Sequence, residues 1–237
     1  MSEPMKTELH EQREAWLSEI RPHWYRVMRP LGDWLPWELR DKMALDEAPK
    51  EDYFRPAPTL TKLHLQNCTV VAERALLLQE YLPKNGICCE VGTGLGKWAE
   101  QIMLYSSPTK LHVIDISFAN FKREPFEAAL AKGIVSLHED DSVAGLSQFP
   151  DAYFDWIYID AQHTYEGVVR DIQAAKTKIN GDGLLVFNDY GFWSHREFMA
   201  YGVMQAVNEF CLSEGWEFIC LALHPEGLHD VVIRKIQ

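Results

Sequence analysis

Two acidic residues and a histidine are the side chains in this sequence best able to do chemistry. Asp160-Ala161-Gln162-His163 closes the strand-like run Phe154 to Asp160, and Asn188-Asp189 closes a second apolar run, Gly183 to Asp189. If those runs are neighbouring strands, Asp160 and Asp189 emerge on the same side of the sheet with backbones about 5 Å apart. Carboxylates that close repel, and they need a cation, a shared proton or a hydrogen-bond network to stay ionised. Oxygen ligands from Asp160, Asp189 and Asn188 would suit Mg²⁺ or Mn²⁺. His163 titrates near neutral pH and is placed to accept a proton. In the absence of a metal, His163 is the candidate base, oriented by Asp160 or Asp189. Each residue also has a structural reading: Asp160 as a cap of the helix opening near Thr164, His163 as a loop histidine, Asn188-Asp189 as turn residues.

Upstream, Glu90-Val91-Gly92-Thr93-Gly94-Leu95-Gly96 ends a strand-like stretch, Ile87 to Val91, and opens a helix-like one, Lys97 to Tyr105. Strand, glycine turn and helix together make a nucleotide site: glycines let backbone amides approach a ligand, and the helix start offers unpaired N–H groups. A dinucleotide fingerprint would need glycine where Lys97 stands, which weakens a pyrophosphate reading. Lys110 to Ile114 reads as the next strand and ends in Asp115, 19 residues after Gly96. An acid at that strand end can accept from both ribose hydroxyls. Ile134 to His138, followed by Asp140-Asp141-Ser142, repeats the pattern of a short strand ending in acid.

An acid two places before G-x-G-x-G resembles motif I of the class I S-adenosylmethionine-dependent methyltransferases. Asp160-Ala161-Gln162-His163 is similar to the D-x-x-K segment of the catechol and caffeoyl-CoA O-methyltransferases, with His163 at the basic position, and Asn188-Asp189 resembles their metal motif in reversed order. Bacterial small-molecule O-methyltransferases with D-x-x-H-x-Y, a later H/N-D-Y and G-V-x-x-A-V, here Gly202 to Val207, are more similar still. The likeness spans roughly residues 66 to 235. It implies methylation of a small-molecule hydroxyl, assisted by a divalent cation at Asp160, Asn188 and Asp189, with His163 as base. It also implies that Glu90, Gly92, Thr93, Gly94 and Gly96 hold the methionine end of S-adenosylmethionine, Asp115 the ribose, and Asp141 with Ser142 the adenine edge, with Asp160 beside the cofactor. Three other readings stay open: metal-independent O- or N-methylation, a non-catalytic S-adenosylmethionine-binding protein, and a nicotinamide-dependent oxidoreductase.

The elements that must position these residues alternate strand and helix. Helix candidates at Lys97 to Tyr105, Phe118 to Lys132, Val143 to Gln148, Tyr165 to Ile179 and His195 to Ser213 separate the strands, as in a parallel sheet covered on both faces. Trp216 to Leu223 and Asp230 to Lys235 are joined by a turn too short for a helical crossover, so they must pair antiparallel. The expected architecture is α/β: a Rossmann-like seven-stranded sheet, mostly parallel with one antiparallel strand. The chain of 237 residues, 47% hydrophobic, accommodates one such domain at 66–237. Residues 1–65 hold four of the eight tryptophans and many prolines, and read as a helical appendage serving as lid or dimer contact. Cys68 to Tyr81 has helical spacing. A net charge of −12 argues against a nucleic-acid partner. The polar start and absence of long apolar runs point to a cytoplasmic protein without a membrane partner. The five cysteines include no C-x-x-C; adjacent Cys88 and Cys89 are expected to be buried on opposite sheet faces.

Overall fold

The computed structural model describes residues 57–197 and 199–236. Apart from residues 57–65, the Trp- and Pro-rich appendage lies outside the described residues. These open with α1 (Lys62–Leu65), β1 (Thr69–Val71) and a π-helical turn at Leu77–Tyr81. There follow β2 (Ile87–Val91), α2 (Lys97–Ser106), β3 (Lys110–Asp115), α3 (Glu127–Ala131), β4 (Val135–Glu139), α4 (Ser142–Ser147) and β5 (Phe154–Ile159). The chain continues through α5 (Tyr165–Ala175), β6 (Ile179–Tyr190), a hairpin of β7 (Trp193–Ser194) and β8 (Met199–Ala200), and α6 (Val203–Glu214). It closes with β9 (Trp216–Ala222) and β10 (His229–Lys235).

One sheet runs in the order β1-β9-β10-β6-β5-β2-β3-β4, parallel throughout except that β10 is antiparallel to both neighbours. This is the expected seven-stranded arrangement with β1 added at one edge. The central strands carry β-branched and aromatic residues on both faces, since helices cover both. Cys89, Val91, Ile157 and Ile159 face α5 and α6, whereas Cys88, Trp156 and Tyr158 face α2 and the π-helical turn. Cys88 and Cys89 therefore divide between the faces as alternation requires. Among the described residues no helix is long and apolar enough to cross a membrane.

Three helix expectations need correction. Within 68–81, β-branched Thr69, Val70 and Val71 instead pair with Cys220, Leu221 and Ala222 of β9, so edge pairing overrides helical spacing. Within 118–132, only Glu127–Ala131 is α-helical, preceded by a 3-10 turn that contains Pro125. Phe118 and Phe121 are buried in the preceding loop and give the segment its helical-looking apolar spacing. Within 195–213, the helix starts at Val203, because the β7–β8 hairpin occupies the stretch before it.

A polar network ties three strands together inside the sheet. Tyr158 Oη donates to Asp230 Oδ2 at 2.6 Å, and Asn188 Nδ2 donates to Tyr158 Oη at 3.1 Å and to Asp230 Oδ1 at 3.2 Å. All three side chains are buried, and burial pushes the Asp230 carboxyl up to about 7. Removing the phenol hydroxyl would strand a buried acceptor. Tyr158→Phe is expected to destabilise the protein by about 1–3 kcal/mol, seen as a lower urea midpoint at unchanged m-value; an unaltered midpoint would deny the network a stabilising role.

Candidate active site

The glycine loop after β2 is shaped by its contact with the loop after β5. Asp160 N donates to Val91 O at 2.7 Å, and a Cβ on Gly92 would stand 2.0 Å from Asp160 O. Only glycine allows that approach, and Gly92 also takes a left-handed φ of 84°. Gly96, at φ 82°, packs against the Phe121 ring and opens α2. Asp115 closes the loop from the end of β3: its Oδ2 accepts from Thr93 N at 2.8 Å and Gly94 N at 3.0 Å, and its Oδ1 from Ser117 N at 3.1 Å. Thr93 Oγ1 donates to Glu90 Oε2 at 2.7 Å. Glu90 Oε1 is buried with no hydrogen-bond partner. Burial raises the Glu90 carboxyl to about 8 despite the Thr93 hydrogen bond.

Asp141 is the N-cap of α4, accepting from Val143 N and Ala144 N, which suits an aspartate immediately before a helix. Ser142 Oγ donates to Asp171, a fully buried side chain of α5 whose other oxygen, Oδ2, has no partner. Burial lifts that carboxyl to about 6.

His163 stands between the two predicted carboxylates. Its Nε2 lies 3.5 Å from Asp160 Oδ1 and 4.0 Å from Asp189 Oδ2, and its side chain is 14% exposed. Those are ion-pair separations rather than formed hydrogen bonds, and Nε2 is buried without a hydrogen-bond partner. The ring stacks on Tyr201 at 4.5 Å and 13°. Main-chain packing fixes this arrangement. Gly202 N donates to His163 O at 2.7 Å, and a Cβ on Gly202 would meet the Tyr165 backbone at 2.2 Å. Thr164, not Asp160, caps α5, which leaves the Asp160 carboxylate to the site. Asp189, the penultimate residue of β6, has φ 54°, a conformation aspartate tolerates better than most residues. Burial raises both carboxyls, opposed in each case by His163. Burial pulls the imidazole down, but Asp160 and then Asp189 outweigh it, so its pKa stands above the ordinary histidine value.

Residues 89–190 match the protein family described as Methyltransferase domain. That match covers less than half of the chain. Solved structures share its fold at low identity. The pyocyanin biosynthetic protein PhzM aligns at 15% identity and TM-score 0.52 over 68% of this chain and 54% of its own, so the chain spans about half the length of that protein. The tRNA methyltransferase TrmK of B. subtilis aligns at 16% identity and TM-score 0.52, over 70% of this chain and 67% of its own. The Burkholderia thailandensis 1,6-didemethyltoxoflavin-N1-methyltransferase, solved with S-adenosylhomocysteine and 1,6-didemethyltoxoflavin, aligns at 13% identity and TM-score 0.52 over 69% and 76%. No curated protein matches the sequence.

The residues of the site do not fit the expected divalent cation. Asn188, the anticipated third ligand, is buried in the sheet and its amide serves Tyr158 and Asp230. Among the described residues no three His, Cys, Asp or Glu side chains are grouped to hold a metal ion. A histidine faces Asp160 and Asp189 instead. Sequence reasoning missed two neighbours: Tyr201, hidden in a stretch read as helix, and Arg74, whose guanidinium lies 4.7 Å from the centre of the Trp98 ring. Burial opposes the Arg74 charge, but Tyr158, Asp230, Asp160 and Asp189 together raise its pKa.

The carboxylate contact makes a direct prediction about His163. Its imidazole should titrate above the ordinary value near 6.5 in an NMR titration, and Asp160→Asn should lower it; an unchanged pKa in the variant would remove Asp160 as the cause.

Proposed function

We propose that this protein transfers a methyl group from S-adenosylmethionine to an acidic hydroxyl of a small molecule, with His163 as general base and without a metal. The observation that carries the reading is the buried, unpartnered His163 Nε2 between Asp160 and Asp189, in the loop packed against the glycine turn. The cofactor supplies a sulfonium-bound methyl whose leaving group, a neutral thioether, needs no protonation. The chain's own task is to position the acceptor and remove its proton. Nε2 takes the proton as the acceptor oxygen forms its bond to carbon, and Asp160 and Asp189 stabilise the resulting imidazolium. Tyr201 holds the ring plane. Because an imidazole is a mild base, the acceptor must be phenol- or enol-like rather than an alkyl alcohol.

Several features support the cofactor assignment. Gly92, Thr93, Gly94 and Gly96 form an open turn at the start of α2, Asp115 lies at the end of β3, and Glu90 keeps one buried oxygen without a partner. That oxygen suits an ammonium group. The net charge of −12 favours a small acceptor over the tRNA named for one structural neighbour. The adenine edge remains assigned to the Asp141-Ser142 turn, where Asp171 holds the serine hydroxyl.

His163→Ala should cut turnover by about 10²- to 10⁴-fold while leaving S-adenosylhomocysteine affinity within a few fold. The assay is label transfer from methyl-labelled S-adenosylmethionine to a panel of phenols and enols, with tRNA as a competing substrate. Transfer to RNA alone, or full activity in the variant, would overturn the reading. Turnover should rise with pH as His163 loses its proton and then level off.

The raised Glu90 carboxyl gives a second test. Below a pH of about 8 Glu90 is protonated in the free protein, so binding an ammonium there requires proton release. S-adenosylhomocysteine affinity should weaken by up to about tenfold per pH unit below that point, and Glu90→Gln should flatten the dependence. Neighbouring Asp160, Asp115 and Arg74 act on the same group, so calorimetry of the variant is the deciding measurement.

A further inference from the structure

Three polar groups on one face of the sheet lack partners. Glu90 Oε1 is a buried acceptor and Trp98 Nε1 a buried donor, each without a hydrogen bond. The Arg74 guanidinium makes no hydrogen bond or ion pair among the described residues; it lies over the face of the Trp98 ring, at 4.7 Å, and Tyr158, Asp230, Asp160 and Asp189 act on it without pairing. The three are neighbours. Tyr158 is the cross-strand partner of Glu90 and lies 5.1 Å from Trp98, ring centre to ring centre. A buried N–H left unpaired is costly, and a half-buried guanidinium with all its donors idle is more so. The sheet's own acids do not meet this need, because Asp230 is engaged by Tyr158 and Asn188 and Asp160 faces His163.

An unpaired carboxylate oxygen beside an unpaired guanidinium and an unpaired indole N–H is the complement of a zwitterion. One end takes an ammonium and the other a carboxylate, the two groups on the α-carbon of an amino acid. We propose that Arg74 and Trp98 Nε1 bind the α-carboxylate of the cofactor's methionine end while Glu90 binds its ammonium. This rests on the S-adenosylmethionine reading above. It gives the segment before β2 a ligand-binding role: Arg74 becomes the residue that selects a cofactor carrying a carboxylate, and Trp98 serves as both its platform and the second donor.

The test compares S-adenosylhomocysteine with the analogue in which hydrogen replaces the methionine carboxylate, both titrated into the full-length protein by calorimetry. Arg74→Met should weaken S-adenosylhomocysteine by about 10- to 100-fold, the range for losing a charged hydrogen-bond partner. It should leave the analogue's affinity within about twofold of wild type. Arg74→Lys should recover part of the loss, since it restores the charge without the fork. Trp98→Phe keeps a ring beneath the guanidinium and removes only the N–H, so it should weaken S-adenosylhomocysteine several fold and spare the analogue. Equal losses for both ligands would mean that the variants merely loosen the site, and no loss would mean that the carboxylate lies elsewhere; either result overturns the assignment. A wild-type protein that binds neither ligand would refute the cofactor reading itself, and is thereby distinguished from failure of the Arg74 assignment alone.

Discussion

The site depends on the contact between two backbone segments. Gly92 comes so close to the Asp160 carbonyl that no side chain fits between them, and Val91 and Asp160 are joined by a main-chain hydrogen bond. The glycine turn and the loop bearing Asp160 and His163 are therefore one rigid feature built from the ends of adjacent parallel strands. A parallel sheet brings this about because its strands all end at the same edge, where successive loops must pack against one another.

Electrostatics at this edge are dominated by acids. Glu90, Asp160, Asp189 and Asp230 all have carboxyls raised by burial, the expected response of like charges in a poorly solvated region. Against them stand the His163 imidazole and the Arg74 guanidinium, with Arg196 also acting on Asp189. His163 is held between two carboxylates and Arg74 is held over an indole, so one is paired by proximity and the other awaits a counter-ion. That difference separates a proton-transfer role from a ligand-binding role.

Much of the architecture was legible because strand ends carry strong local signals. The run from Glu90 to Gly96, the acids at Asp115 and Asp160, and the reversed last strand all follow from spacing and turn length. Thr69 to Val71 was misread because three β-branched residues at a sheet edge also fit an apolar helix pattern, and only β9 decides between them. Tyr201 was hidden because its stacking partner lies 38 residues earlier in the sequence. Asn188 could have been read better: successive strand residues face opposite sides, so Asn188 and Asp189 cannot readily serve one ion. Its place beside Tyr158 and Asp230 is what that alternation requires. Arg74 gave no local signal, since nothing in the sequence near it marks an unpaired charge.

The carboxylate of Asp115 already holds two amides of the glycine turn. Glycine-rich segments have the most conformational freedom to lose, and in many proteins that loss falls at the moment of association. Here folding itself draws the turn into shape, so the nucleoside proposed above would meet a surface already ordered. Recognition in this part of the molecule is therefore closer to docking on a mould than to closing a hand.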